Sequence, residues 1–367
     1  MKPGQLLAKL VKIESFSGQE QKLAVFIMNF AKKHGLAPEL KDGNVIIKFI
    51  GNSSKAIIFD AHMDTVKPGD LHLWKVPPFG KDSGIIEDKK LYGLGASDDK
   101  AAIAALLILA VALKKTVLTS DVFMVFVTNE EADGSGSQSF VKHFKEKYIG
   151  DYKEIAAVLG EPTNLTSCEI GHRGNIFIKV TTAGDAGHGS NPENIKTHAI
   201  FENIKIIEKI ISIGNELADF YKDPILLSPS FCLTGIQSGQ SSPSAVPSIC
   251  SSTWDIRTTP KLHNKVIDVL KEKLGSQVKI EYLMAPSPFG YTSPNSKIVH
   301  LLQSHLHGLD VKISPGANDI CFFTDAGIDA VAFGPGQKDV IHRENEFVEL
   351  EKVFQSIQMC KKLIKEF

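Results

Sequence analysis

Between residues 44 and 161, short apolar, β-rich runs alternate with helical stretches, and three of these runs stop at acids or a histidine. Asn44–Phe49 and Ala56–Phe59 read as strands, the second running into Asp60-Ala61-His62-Met63-Asp64. Leu91–Gly95 leads into a helix over Ala101–Leu113. Val122–Thr128 ends at Asn129-Glu130-Glu131, and Ala156–Leu159 ends at Gly160-Glu161-Pro162. Strand–helix–strand alternation of this kind predicts an α/β domain with a mostly parallel sheet. In such sheets ligands gather at the carboxyl ends of the strands.

The pattern changes after about residue 174. Asn175–Thr182, Pro229–Ile236, Ile249–Arg257 and Val278–Leu283 read as strands, with helices over Thr197–Ile213 and Lys265–Leu274. That is a small α+β unit of two helices on an antiparallel sheet. Pro286–Pro294 reads as a linker, after which Ala330–Phe333, Gly334-Pro335-Gly336 and an amphipathic helix from Glu349 resume the first pattern. The chain therefore predicts a discontinuous domain, 1–174 and 285–367, with an inserted domain over 175–284.

Composition narrows the function classes. A hydrophobic content of 43% with 23% charged residues describes a soluble globular protein. A net charge of -1 gives no reason to expect nucleic acid or an anionic membrane. The longest apolar run, Ala101–Leu113, has 13 residues. A bilayer span needs roughly 20, so a buried helix is expected. The lysine-interrupted N-terminus predicts an amphipathic helix in place of a signal peptide. Five dispersed cysteines, Cys168, Cys232, Cys250, Cys321 and Cys360, lack Cys-x-x-Cys spacing and predict buried thiols in a reducing, cytoplasmic compartment. Only three of the 41 basic residues are arginine: Arg173, Arg257 and Arg343. Such economy marks positions where the planar guanidinium fork is needed.

In chain order, His62, Asp64, Asp98, Glu130, Glu131, Glu161 and His342 occupy strand ends or Gly/Pro-rich loops. Two imidazoles and several carboxylates suit hard or borderline divalent metals, zinc above all. Asp64, two residues beyond His62, can accept a hydrogen bond from its second ring nitrogen. Glu130 and Glu131 offer a general base and a ligand side by side, the requirement of metal-assisted hydrolysis. The glycines of Tyr92-Gly93-Leu94-Gly95-Ala96-Ser97-Asp98 imitate a dinucleotide fingerprint. Asp98 at the third glycine position would repel a pyrophosphate, and a carboxylate shared by two cations is its better use.

Five motifs in this order resemble the dizinc metallopeptidase and deacylase family that includes succinyl-diaminopimelate desuccinylase, acetylornithine deacetylase, aminoacylases and glutamate carboxypeptidase. They are Asp60-Ala61-His62-Met63-Asp64-Thr65, the Tyr92–Asp98 turn, Thr128-Asn129-Glu130-Glu131, Gly160-Glu161-Pro162-Thr163, and Phe333-Gly334-Pro335-Gly336 through His342. The resemblance implies a zinc-exopeptidase-like catalytic domain with an inserted lid and dimerisation domain. It implies that His62, Asp98 and Glu161 hold one zinc and that Asp98, Glu131 and His342 hold the other, with cobalt or manganese as substitutes. Glu130 would be the general base, supported by Asp64 beside His62. His188, in Ala186-Gly187-His188-Gly189, resembles a donor to the developing oxyanion in a partner subunit, so a homodimer is implied. Arg257, in Asp255-Ile256-Arg257, resembles a clamp on the substrate carboxylate, and Arg173 serves either the hinge or the substrate. Closure of the inserted domain would bring His188 and Arg257 to the zinc site.

The implied reaction is hydrolysis of an amide bond in an N-acyl amino acid, of deacetylase or desuccinylase type. The rival is a dipeptidase or carboxypeptidase; a non-catalytic ligand-binding relative is disfavoured by the intact Glu130. The chain departs from the family pattern at Leu94, where arginine is frequent, and at Asp99, which directly follows Asp98. Ser244 stands where desuccinylases tend to carry asparagine, and Pro315-Gly316-Ala317-Asn318-Asp319-Ile320 lacks the arginine that follows in them. The last two argue against succinyl-diaminopimelate as the substrate.

Overall fold

Strand Lys55–His62 has seven successive buried residues, from Ala56 to His62, because helices cover both of its faces. The computed structural model, which describes residues 2–240, 242–275 and 278–367, forms two compact units. One unit comprises Met1–Gly171, Gly290–Ser314 and Asn318–Phe367; the other comprises His172–Phe289 and Pro315–Ala317.

The first unit is built on a nine-stranded sheet. Its centre runs Asp121–Val127, Lys55–His62, Glu154–Pro162, Asp329–Gly334, all parallel neighbours. Asn44–Phe49 and Pro38–Lys41 extend one side antiparallel. Ser167–His172, Gly290–Tyr291 and Asp310–Ser314 finish the other side. Gly290–Tyr291 lies inside the stretch expected as a linker, so residues 286–294 are part sheet edge.

The period-2 geometry of the strands divides their side chains between two layers. Ile58, Phe123, Val125, Val127, Leu159 and Ala332 face Phe140 and Phe144 of helix Ser135–Lys147, together with Phe323. On the other face lies helix Lys100–Leu113, apolar all round, with 11 of its 14 residues buried. It packs between the sheet and helices Pro3–Val11 and Leu350–Glu366. A helix apolar on every side is stable in water only when enclosed in this way. Among the described residues no helix is long and apolar enough to cross a membrane.

The second unit is an antiparallel sheet in the order Ser230–Ser238, Ile249–Thr258, Gly174–Ala183, Lys279–Tyr282. Ile176, Ile178, Val180, Trp254 and Ile256 point to helices Ala199–Phe220 and Val266–Leu274. The helix expected to stop at Ile213 continues through Gly214 to Phe220. A Cβ on Gly214 would meet the Phe231 ring at 3.0 Å, so the glycine gives that ring its place against the helix. Four cysteines are buried thiols as expected, but Cys232 is exposed. It stands on the outer strand Ser230–Ser238, one residue out of phase with Phe231 and Leu233, which pack toward the helices.

Candidate metal centre

All the expected ligands lie in the first unit, on segments that leave the carboxyl ends of the central parallel strands or on the turn before helix Lys100–Leu113. His62 is the last residue of its strand and 2% exposed. Its Nε2 stands 3.0 Å from Asp98 Oδ1. The other oxygen, Asp98 Oδ2, stands 3.4 Å from Nε2 of His342, which is itself 2.8 Å from Glu131 Oε1. One carboxylate thus offers an oxygen to each imidazole. Ligand atoms of His62, Glu130 and Glu131 fall within 4.8 Å of one another, as do those of Asp98, Glu131 and His342. Glu161 belongs to neither triad; it sits near the end of strand Glu154–Pro162, with the Asp98 charge acting on it.

His62 Nδ1 makes its shorter contact with the main-chain carbonyl of Asp64, at 3.0 Å, and lies 3.4 Å from Asp64 Oδ1. The Asp64 carboxylate is fully buried and accepts three further bonds: Glu130 N–H at 3.1 Å, Glu131 N–H at 3.0 Å and the Ser17 hydroxyl at 2.7 Å. Glu20, also buried, accepts the N–H of Asn129 and of Gly18, both at 3.0 Å. Asn129 has φ 56°, a left-handed turn that presents successive amides to these acids. Ser17, Glu20 and Glu346, whose carboxylate accepts amides of the Asp98 turn, were not anticipated from sequence.

The electrostatics are those of too many acids for two imidazoles. Burial, then Glu161 and Asp319, lift Glu130 well above the usual carboxylate range. Burial and the Asp98 charge push Glu161 up to about 8. Asp98, like Asp64, is lowered, its burial outweighed by hydrogen bonds with His342 and His62. Deeper acids add to the excess: burial raises Asp60 to about 7, and among the described residues neither oxygen of the fully buried Asp99 has a hydrogen-bond partner. Buried carboxylates without cations are costly. The donor set, two imidazoles and several carboxylates with Asp98 between the histidines, fits a pair of divalent cations.

The remaining expected residues belong to the second unit. His188 is exposed, and its Nδ1 accepts the Ser190 N–H at 3.2 Å. That bond puts the ring proton of neutral His188 on Nε2, the tautomer of a hydrogen-bond donor. Arg257 uses its Nε–NH2 edge bidentately on Asp255, at 2.8 and 2.9 Å. Arg173 donates to the Ser228 carbonyl at 2.7 Å and to Ser230 Oγ at 3.2 Å. The repulsion between Arg257 and Arg173 adds to burial in lowering the Arg173 pKa.

Known proteins are similar to this chain. A succinyl-diaminopimelate desuccinylase of Wolbachia pipientis is 26% identical over 100% of this chain and 93% of its own length. An acetylornithine deacetylase of Buchnera aphidicola is 24% identical over 93% and 88%. An M20 family metallo-carboxypeptidase from Sulfolobus solfataricus has the same fold, with a TM-score of 0.78 at 20% identity, covering 99% of this chain and 98% of that one. Residues 58–366 match Peptidase family M20/M25/M40. That span runs from the strand carrying His62, through both units, to the last helix, and the chain belongs to this family of metal-dependent hydrolases.

Proposed function

We propose that the protein is a dizinc hydrolase that cleaves the amide bond of an N-acyl amino acid, of deacetylase or desuccinylase type. The observation that carries this reading is Asp98, with one oxygen 3.0 Å from His62 and the other 3.4 Å from His342. His62, Asp98 and Glu161 would hold one zinc, and Asp98, Glu131 and His342 the other, with cobalt or manganese able to substitute. Bound there, the ions supply Lewis-acid polarisation of the scissile carbonyl. Glu130 takes a proton from the attacking water and returns it to the leaving amine as the C–N bond breaks, giving a carboxylic acid and an amino acid. Its main-chain N–H is held by Asp64, which orients it. The roles of His188 as oxyanion donor and of Arg257 toward the substrate carboxylate belong to the same proposal, with Arg173 serving either the hinge or the substrate. The resemblance supports the roles of His188 and Arg257, and the Nε2–H tautomer supports that of His188. A homodimer is proposed on the resemblance alone. Five free thiols support placement in the cytoplasm.

The test is amine release by zinc- or cobalt-loaded protein from N-acetyl amino acids, N-succinyl amino acids and dipeptides, with Glu130→Gln as control. Release from one acyl class, absent in the control, establishes the deacylase. Release only from dipeptides moves the protein to the peptidases, the class named for the Sulfolobus structure. An active Glu130→Gln variant overturns the general-base role.

A further inference from the structure

Glu346 lies four residues beyond His342, is 2% exposed, and spends its carboxylate on main-chain amides. Oε2 accepts the Gly95 N–H at 3.0 Å; Oε1 accepts those of Ser97 at 2.7 Å and Asp98 at 3.0 Å. Its own carbonyl accepts the Gly93 N–H at 2.9 Å. The turn can wrap one acid because Gly93 and Gly95 have φ of 144° and 77°, values L side chains rarely adopt. A Cβ on Gly95 would also meet Thr65 Cγ2 at 2.8 Å.

We infer that Glu346 is a positioning residue: it clasps the turn bearing Asp98 and ties it to the loop bearing His342, so that two of the three ligands of one cation are set as a unit. The inference rests on the dizinc reading above. The loop end is pinned in turn by Asn345, whose Nδ2 donates to the Leu73 carbonyl at 2.9 Å and whose Oδ1 accepts the Lys75 N–H at 2.7 Å. The two carboxylate oxygens accept all three N–H groups, with no donor on the side chain to oppose them. Glutamine would turn an NH2 against at least one of those amides, and aspartate would fall a methylene short.

The experiment compares wild type with E346Q and E346D by cobalt titration. It reads the number of ions bound, affinity against a competing chelator, and the visible d–d spectrum, with melting of the metal-free proteins as the folding control. Both variants are expected to bind cobalt about 10–100-fold more weakly and with an altered spectrum, as for other groups that orient ligands. A turnover loss in kcat with KM unchanged goes with it. Wild-type affinity and spectrum in a folded E346Q overturn the clasp and leave the dizinc reading standing. Failure of the wild type to take up cobalt overturns the dizinc reading itself. Should the variants not fold, hydrogen exchange in metal-free wild type decides: the Gly95, Ser97 and Asp98 amides are expected to be protected, and free exchange there overturns the clasp.

Discussion

Asp64 lies 66 residues before Glu130, yet its Oδ1 accepts the Glu130 main-chain N–H at 3.1 Å. Its other oxygen takes the Glu131 N–H and the Ser17 hydroxyl, so all three bonds require an acceptor. Asp64→Asn keeps the shape and replaces one oxygen with a donor facing a donor. At saturating zinc, kcat is expected to fall about 10–100-fold, the usual cost of losing an orienting carboxylate. The check is kcat measured alongside metal content. Undiminished turnover with two ions bound would mean that Asp64 does not hold the loop.

The metal-free protein should lose stability as pH rises from about 5 to about 9. Glu161 has an ordinary value of 4.5 and a folded value of about 8, raised by burial. Between those values the folded chain keeps a proton that the unfolded chain has released, so stability falls as pH rises. His62 acts in the same sense: burial opposes its charge, but hydrogen bonds with Asp64 and Asp98 win and raise it well above 6.5. His342, raised to about 10 by Asp98 and Glu131, adds to this at the upper end. Both histidines give stability below 6.5 that drains away through their folded values. Asp64 and Asp98 are lowered, so their contribution is lost only in acid below this window. Cations need deprotonated ligands, so the Tm gained on adding zinc should grow with pH. Melting curves at pH 6 and 8.5, with and without chelator, test this. A metal-free protein more stable at 8.5 would refute it.

The two cations should leave in order. His62 is 2% exposed, whereas the His342 side chain is 48% exposed. A chelator titration is expected to show two steps, with the ion of Asp98, Glu131 and His342 leaving first. His342→Ala should bind one ion in place of two. Loss of both ions together from the wild type, or two ions in His342→Ala, would refute the order and the ligand assignment respectively.

The acids and histidines that the structure brings together were legible because strand ends expose main chain and side chain at one edge of the sheet. His62, Glu130 with Glu131, and Glu161 follow apolar runs that could only be strands. Strand Ser167–His172 was not legible. Its Glu169 is 1% exposed and pairs at 2.6 Å with Lys338, 169 positions away, a partner that no local pattern shows. Glu20 and Glu346 escaped for another reason. They bind main-chain amides, and no pattern of side chains shows which amide a distant acid will meet. Cys232 was misjudged because burial on a strand depends on phase and on which strand forms the edge, both set by tertiary pairing.

Two glycines separate close packing from mere chain flexibility. Gly334 ends strand Asp329–Gly334, pairs with Pro162, and exchanges bonds with Thr163: its N–H donates to Oγ1 at 3.1 Å and its carbonyl accepts from that hydroxyl at 3.3 Å. A Cβ there would strike the Gly160 carbonyl and come within 2.6 Å of the Glu161 carbonyl oxygen, all main-chain atoms that cannot turn aside. Gly334→Ala must therefore push apart the strand end that carries Glu161, at a cost of about 1–3 kcal/mol for overpacking. Among the described residues Gly150 has nothing within 4 Å of its added Cβ, so Gly150→Ala should stay within about 0.5 kcal/mol of wild type. Because the Gly334 clash falls on the strand that holds Glu161, its variant should also bind cobalt more weakly, which Gly150→Ala should not. Denaturant melts and cobalt titrations on the pair decide the matter. Equal stability and equal affinity in the two variants would show that the sheet opens freely at Gly334, and that this close approach does not set the position of Glu161.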